Sequence, residues 1–287
     1  MVKIGFIGAG TVGTALAATL SERGHPVAAV YSRSLSSAQA LARRIDGGSV
    51  CDSGQGVADL AELVFITTPD DAITTAVAQV RWRPGVSVVH CNGSSSTDIL
   101  EQARRQGASV GAFHPLQSFA SVDQAIQNIP GSTFALEGEE PLLGVLKELA
   151  EALEGRWVVL GPGDKVLYHA AAVIISNYTV ALAKMATDLW RVFGVDTPDA
   201  TRAMLPLLRG TVNNIANVGL PNCLTGPIAR GDIGTIEKHL AALESRAPEV
   251  LAAYRELGLQ AIPVALGKGK IDEGKAKQLE QLLARTS

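Results

Sequence analysis

Apolar residues along the chain follow two patterns, which change near Leu160. From Val2 onward, short β-branched runs alternate with segments in which apolar residues recur at helical spacing. The predicted strands are Lys3–Ile7, Val27–Ser32, Leu63–Thr67, Val86–His90 and Ser109–Phe113, with Thr133–Leu136 and Trp157–Leu160 extending the sheet. This alternation predicts βαβ units, and therefore an α/β fold with a doubly wound parallel sheet.

Beyond Gly161–Asp164 the pattern predicts helices and no strand. A long helix to about Phe193 is followed by a second across Ala200–Val218 and by three more between Ile233 and Ala284. We therefore expect an α/β domain over residues 1–163 and an all-α domain over residues 164–287. Polar and charged residues interrupt the most apolar run, Ala170–Leu189, which favours a buried helix over a membrane span.

Composition narrows the class of protein. Hydrophobic residues make up 47% and charged residues 18%, and the formal net charge is −3, so neither nucleic acid nor a membrane is expected as a partner. Cys51, Cys91 and Cys223 are scattered without a CxxC, which argues for a reducing cytoplasm and against a disulfide framework or a metal site. The N-terminal "MVKIGFIG" lacks the features of a signal peptide.

The stretch "GAGTVG" has the G-x-G-x-x-G spacing of a dinucleotide-binding turn, with Gly8, Gly10 and Gly13 around Thr11 and Val12. It follows a predicted strand and opens a predicted helix, which is the context that this motif requires. The first glycine permits the turn, the second lets the backbone approach a pyrophosphate, and the third permits close packing of helix and strand. A glycine turn without a ligand is the alternative.

The end of the second predicted strand points to the type of dinucleotide. NAD sites usually place an acidic residue roughly 20 residues after the last glycine, to bind the ribose 2′-hydroxyl. Here that position is Arg33, between Ser32 and Ser34, with no carboxylate beside it. A guanidinium and two hydroxyls suit a 2′-phosphate, so NADP is the expected cofactor, although an arginine in a surface loop is the alternative.

Two further strand ends are expected to border the nicotinamide. Ligands of such sheets lie beyond the carboxyl ends of the strands. Thr67, Thr68 and Pro69 follow one strand, and the loop "HCNGSS", which contains Asn92, follows the next. The threonines fit ordinary strand-end caps equally well.

Titratable residues gather around the same predicted edge. His114, in "GAFHPLQSF", follows the strand Ser109–Phe113. Lys165 and His169 are four residues apart at the start of the long helix and share one face, with Asn177 about two turns further along. Polar groups on an otherwise apolar helix are costly unless they face a cleft or find partners. The alternatives are a core or loop histidine and ordinary solvation of the lysine at a helix start.

The stretch "LTGPIARGD" is a loop stiffened by glycine and proline before a helix that Asp232 can cap. Its Arg230 could hold a substrate carboxylate through paired hydrogen bonds, or form a salt bridge between domains or subunits.

With these motifs the chain resembles a family that joins a Rossmann-like NAD(P)-binding domain to a helical domain of formerly unknown function; "HPLQSF" and "LTGPIARGD" carry the resemblance. It is more remotely similar to the superfamily of 6-phosphogluconate dehydrogenase, ketopantoate reductase and pyrroline-5-carboxylate reductase. Lys165 matches their Lys-x-x-x-Asn, but His169 replaces the asparagine. Asn92 and Gly93 resemble a ketopantoate reductase loop, and His114 matches the histidine of the prephenate dehydrogenase "HPM".

The resemblance implies an NADP-dependent oxidoreductase acting on a small, carboxylate-bearing keto acid, alcohol or imine, with ketopantoate-type reduction as the first candidate. His114 would donate or accept the proton, and Lys165 would stabilise the oxyanion or take the same role. The candidate catalytic residues are His114, Lys165 and His169, and the candidate substrate-binding residues are Asn92, Asn177 and Arg230. A non-catalytic NADP-binding sensor and a deazaflavin-linked NADP reductase are the alternatives. The helical domain's apolar surface predicts a homodimer.

Overall fold

The computed structural model describes residues 1–161 and 163–284. Its first part is an eight-stranded sheet in the order β3-β2-β1-β4-β5-β6-β7-β8. The strands are β1 (Ile4–Ile7), β2 (Val27–Tyr31), β3 (Ser49–Val50), β4 (Leu63–Ile66), β5 (Ser87–His90), β6 (Ser109–Leu116), β7 (Thr133–Glu137) and β8 (Arg156–Val159). All neighbouring strands are parallel except β6 and β7.

Helices cover both faces of this sheet and make up most of the described residues after β8. They are α1 (Thr11–Glu22), α2 (Leu35–Ala42), α3 (Gly54–Leu60), α4 (Ile73–Ala78), α5 (Glu101–Arg105), α6 (Val122–Asn128), α7 (Leu142–Ala152), α8 (Asp164–Ile175), α9 (Asn177–Arg191), α10 (Thr197–Val218), α11 (Gly226–Ala229), α12 (Ile233–Arg246), α13 (Pro248–Gly267) and α14 (Glu273–Ala284). The predicted fold class, a doubly wound α/β sheet followed by helices, is confirmed.

The central strands are buried on both faces. Every residue of β1 and β4 is buried, as the uninterrupted runs "IGFI" and "LVFI" predict for parallel strands with helices on either side. On one face a row of aromatic rings crosses the strands: the centroids of Phe6 and Phe65 are 5.1 Å apart, and those of Phe113 and Phe134 are 4.6 Å apart. The rings of Phe65 and Phe113, with centroids 5.7 Å apart, join the two pairs into one packed row.

The sheet departs from the prediction at three points. The two-residue β3 was not predicted, because Ser49 and Val50 are too few to show a pattern. Strand β7 runs antiparallel to β6, whereas a fully parallel sheet was expected. Strand β6 also continues to Leu116, so His114 lies inside a strand and not after one. Beyond Ala112, which pairs with the last residue of β5, the described strands pair with β6 on one side alone, through β7. Pro115 is tolerated there because an unpaired strand edge needs no backbone N–H donor.

The chain divides into two compact units, Met1–Asn177 and the residues from Tyr178 onward. Helix α8 therefore belongs to the first unit, whereas the predicted boundary between residues 163 and 164 assigned it to the helical domain. The predicted junction Gly161–Asp164 includes Pro162, which lies outside the described residues. The predicted long helix is divided at Ser176 into α8 and α9.

The second unit contains no strand among its described residues. Helices α11 to α14 enclose a small apolar core that includes Ile236, Leu240, Ile262 and Leu279. Helix α10 is different, since Ala200 is its only buried residue.

The expectation that Ala170–Leu189 is a buried helix is wrong for the single chain. The segment Asp164–Arg191 has a hydropathy of 1.5 and is long and apolar enough, by length and composition alone, to cross a membrane, and none of its most apolar window is buried. In the first unit, the exposed side chains of Leu167 and Ile174 illustrate this.

Candidate functional site

Two glycines of the "GAGTVG" turn are required by the protein's own packing. Gly8 has a φ of +115°, and a Cβ there would lie 2.5 Å from the carbonyl carbon of Thr67. A Cβ on Gly13 would lie 2.8 Å from the carbonyl oxygen of Gly8 and would also strike the Thr67 hydroxyl. That hydroxyl donates a hydrogen bond of 2.8 Å to the Gly8 carbonyl. Thr67 therefore ties the turn to β4.

The middle glycine has no such packing role. Gly10 has an ordinary φ of −79°, and the only atom near a Cβ there would be the Thr67 carbonyl oxygen at 4.0 Å. Among the described residues no side chain caps the N-terminus of α1, so its first amide groups are free to bind a ligand. The space at Gly10 is thus available to an anion approaching the helix.

A cavity of about 320 Å³ opens beside this turn. Of the predicted cofactor-binding residues, its lining contains Gly8, Gly10, Ser32, Arg33, Thr67, Thr68 and Pro69. It also contains polar side chains that the sequence analysis missed, namely Ser37, Thr75 and Gln79.

Four predicted cofactor-binding residues are not part of this lining. Thr11, Val12 and Gly13 form the first turn of α1. Ser34 is the N-cap of α2, and its hydroxyl oxygen accepts a hydrogen bond of 3.2 Å from the Ser37 amide. Ser34 therefore caps the helix and does not line the cavity. The prediction counted residues from the glycine motif, and such a count cannot tell a helix cap from a ligand-binding residue.

The cavity offers a positive charge and no negative one. Its lining includes no Asp or Glu, and the exposed Arg33 guanidinium has no ion pair or hydrogen bond within the described residues. The hydroxyl oxygen of Thr68 is buried and lacks a partner in the same part of the chain. A buried unpaired hydroxyl is costly unless a ligand or water satisfies it. The cavity therefore suits a phosphate-bearing ligand with groups that can bond to Thr68.

His114 lies at the same edge of the sheet. Its Nδ1 is 2.8 Å from the hydroxyl oxygen of Tyr168 on α8, and the two share a hydrogen bond. The rings of His114 and His169 have centroids 6.3 Å apart. Tyr168 was missed although it lies three residues after Lys165, on the helix face that the prediction had singled out.

The loop after β5 passes directly against both imidazole rings. A Cβ on Gly93 would lie 2.6 Å from His169 Cδ2 and 2.8 Å from His114 Nε2. Only glycine fits at this position, and its small size brings the loop into contact with the histidines.

Asn92 shapes this loop. Its side-chain oxygen accepts a hydrogen bond of 2.8 Å from the Ser94 amide. Its backbone oxygen accepts one of 2.7 Å from Lys165 Nζ, and the lysine is only 2% exposed. Asn92 was predicted to bind substrate, but here its carboxamide oxygen accepts a hydrogen bond from its own loop.

A third histidine, His90, bonds to this loop from the end of β5 and was also missed. It is fully buried, its Nδ1 accepts a hydrogen bond of 3.1 Å from the Asn92 amide, and its Nε2 is 3.2 Å from the Ser96 carbonyl oxygen. This pattern requires a neutral ring with the proton on Nε2. Burial and the charge of Lys165 lower the pKa of His90 to about 3, which agrees with that assignment.

The electrostatics separate the roles of the titratable groups. Burial, followed by the charges of Lys165 and His169, lowers the pKa of His114 to about 4. Burial lowers the pKa of Lys165 to about 8, against the opposing charge of Glu137. Burial raises the pKa of Tyr168 to about 12. Near neutral pH the site therefore holds a neutral imidazole, a neutral phenol and an ammonium close to its titration range.

The structure does not bring all predicted site residues together. The lining of the glycine cavity includes neither His114 nor Lys165, which were expected to share it. Asn177 is exposed at the start of α9. Arg230 lies in the second unit, beside a separate cavity of about 390 Å³ that Lys268 and Lys270 also line.

Comparison with known proteins supports the two-part organisation. A family model described as a Rossmann-like domain matches residues 1–115, and a model described as a domain of unknown function, DUF2520, matches residues 132–261. The resemblance inferred from the sequence is thereby confirmed. No curated protein matches the chain.

Solved structures share the fold over almost the whole chain. Protein TM1727 from Thermotoga maritima is 28% identical, with a TM-score of 0.74, over 93% of this chain and 99% of that one. BF3122 from Bacteroides fragilis, a candidate NADP oxidoreductase, is 25% identical, with a TM-score of 0.70, over 91% and 98%. A reductive aminase from Aspergillus terreus, in complex with NADPH and ethyl levulinate, is 21% identical, with a TM-score of 0.64, over 98% and 99%, and this likeness shows the fold alone.

Proposed function

We propose that the chain, which matches a Rossmann-like model over residues 1–115 and the DUF2520 model over residues 132–261, is an NADP-dependent oxidoreductase. It transfers hydride between NADP(H) and a small, carboxylate-bearing keto acid, alcohol or imine. One observation carries the proposal: a single edge of the sheet holds both the glycine cavity with its unpaired Arg33 and a buried lysine whose pKa is lowered to about 8. A strongly shifted pKa in a buried cluster beside a nucleotide cavity is typical of an active site.

The described residues fit NADP. The free amides at the start of α1, next to Gly10, would bind the pyrophosphate, and Arg33 with Ser32 would bind the 2′-phosphate. Thr68, whose hydroxyl is otherwise unpaired, would bond to the nicotinamide half. When bound, NADPH supplies the hydride.

We expect Gly10→Ala to weaken NADPH binding by at least tenfold without lowering the free energy of unfolding. The added methyl would occupy the space meant for the pyrophosphate but would touch no protein atom closer than 4.0 Å. Fluorescence titration and urea unfolding measure the two quantities. Gly8→Ala is the matched control and should destabilise the fold, because its φ is +115°. Unchanged NADPH affinity in Gly10→Ala would contradict the proposal that the pyrophosphate binds next to Gly10.

The proton of the reaction is assigned to Lys165. In the reduction direction, the ammonium would protonate the oxygen or nitrogen that gains negative charge as hydride arrives. The neutral His114, hydrogen-bonded to Tyr168, would bond to the same substrate atom and orient it. Its pKa of about 4 leaves little imidazolium at neutral pH, so the histidine is the weaker proton donor of the two.

A screen of NADPH oxidation tests the function. The panel contains 2-keto acids, including ketopantoate, together with cyclic imines that carry a carboxylate. Turnover of any member, with NADPH much preferred over NADH, supports the proposal. Tight NADPH binding without turnover of the panel favours an NADP sensor, and hydride exchange with a deazaflavin identifies the third candidate.

Exposed apolar side chains supply the argument for a homodimer. Helix α10 has 22 residues, of which Leu205, Leu207, Val212 and Ile215 are exposed. A helix with one buried residue is marginal in water, so α10 needs a surface to pack on. A second copy of the chain offers the same helix, and an isologous dimer would cover both copies. Such a dimer would be cytoplasmic, with its apolar helices covered by protein and not by lipid.

We expect the double variant Leu207→Lys/Val212→Lys to be monomeric. Two ammonium groups at an apolar contact cannot be paired there and would oppose association. Light scattering distinguishes one chain of 29.9 kDa from two. Leu60→Lys, at a 50% exposed leucine of the first unit, is the control and should leave the mass unchanged. A monomeric wild-type protein would contradict the dimer.

A further inference from the structure

Glu137, the last residue of β7, reaches the same edge of the sheet as the loop after β5. It pairs with Ala112, which in turn pairs with His90, so the three side chains lie on one face. Its Oε1 accepts hydrogen bonds of 3.1 Å from the Thr97 amide and 3.2 Å from the Thr97 hydroxyl. These two bonds fix the carboxylate in one orientation.

The other carboxylate oxygen is buried without a hydrogen-bond partner in the described residues. Such an oxygen is unfavourable unless a nearby positive charge compensates it. Lys165 is a buried cation at this edge of the sheet. Within the described residues its ammonium makes one of the three hydrogen bonds that it can donate, the bond to the Asn92 carbonyl oxygen. Among the described residues Glu137 and Lys165 form no direct hydrogen bond or ion pair, so the carboxylate would act on the ammonium through space, by its charge.

Several charges act on the Lys165 ammonium. Glu137 favours its charged form most strongly, and Asp70 after β4 acts in the same direction. Burial raises the pKa of the Cys91 thiol to about 12, so this group is neutral near pH 7 and adds no charge. The nearby His90 and His114 are neutral near pH 7 and so do not repel it. Burial alone opposes the charge, which leaves Glu137 as the principal group holding the proton on the lysine.

We propose that Glu137 is a positioning residue, whose unpaired carboxylate oxygen keeps the buried Lys165 ammonium charged for proton donation. This role rests on the proposed function of Lys165, but it can be measured without a substrate. Glu137 would not touch the reacting atoms, and it would act entirely through the lysine.

The test is a pH titration of Lys165 in the full chain, monitored by NMR of ¹³C-labelled lysine. The Lys165 signal is the one that is missing from the spectrum of Lys165→Met. Glu137→Gln keeps the shape of the side chain and removes its charge. We expect the titration midpoint of Lys165 to fall by on the order of one pH unit. The alkaline limb of the NADPH-dependent rate should move to lower pH by the same amount.

Glu139→Gln is the matched control, since it removes an exposed carboxylate two residues away and should leave the midpoint unchanged. Glu137→Asp keeps the charge on a shorter side chain and should give a smaller fall in the same direction; it also serves if the glutamine variant does not fold. An unchanged Lys165 midpoint in the folded Glu137 variants would overturn the proposal. A lowered midpoint together with a negative NADPH screen would support the role of Glu137 and count against the proposed reaction alone.

Discussion

Lys165→Met is expected to lower kcat by roughly 10²- to 10⁴-fold, the usual cost of losing a general acid. Methionine has nearly the length of the lysine and no titratable group, so the buried space stays filled. The affinity for NADPH should change little, because Lys165 is not part of the cavity lining that holds Gly10 and Arg33. Initial rates of NADPH oxidation and a fluorescence titration measure the two effects.

The pH profile gives an independent check of the same residue. Lys165 donates a proton only in its charged form, and its pKa is lowered to about 8. In the reduction direction, kcat should therefore be constant at neutral pH and fall as the pH rises through about 8. Lys3→Met, at an exposed lysine, should keep both the rate and the profile. Wild-type turnover by Lys165→Met, or a profile without an alkaline limb, would remove the lysine from the mechanism.

Structural features that depend on neighbouring residues in the sequence could be predicted. Strands β1, β4 and β5 are short apolar runs that are buried on both faces, and nothing distant is needed to identify them. The G-x-G-x-x-G turn is equally local, since its glycines serve one bend and one helix start. Lys165 and His169 could be paired because four residues on a helix share a face.

Features that depend on register were not predictable. Glu137 reaches the site only because β7 runs antiparallel to β6, which places its last residue opposite Ala112. His90 supports the loop because it lies at the buried end of β5 and bonds to atoms two and six residues ahead. The direction of β7 depends on the path of the chain between strands, and no pattern within "TFALE" records it.

Functional and structural uses of one residue type also look alike in sequence. Ser32 lines the cavity while Ser34, two residues later, caps a helix. Asn92 matches a substrate-binding asparagine in distant relatives, yet here its side-chain oxygen closes its own loop. The difference lies in which backbone amides come within reach, and that is decided by three-dimensional geometry alone.

The wild-type protein is expected to bind NADPH roughly 10- to 150-fold more tightly than NADH. This range corresponds to about 1.5–3 kcal/mol for a hydrogen bond to a charged group. Arg33 is the group that would supply it, because it lines the cavity and has no carboxylate partner in the described residues. The preference should weaken as salt is raised, since Arg33 is exposed and its charge is screened.

Arg33→Asp should reverse this preference. The carboxylate would repel the 2′-phosphate of NADPH and would accept hydrogen bonds from the ribose hydroxyls of NADH, as the acidic residue of NAD-binding sites does. Fluorescence titration of both cofactors gives the ratio of affinities. Arg43→Asp, at an exposed arginine after α2 that is absent from the cavity lining, makes the same change of charge and should leave the ratio as it is. If Arg33→Asp keeps the preference for NADPH, the 2′-phosphate must be bound by other groups, and the NADP assignment would lose the residue on which it depends.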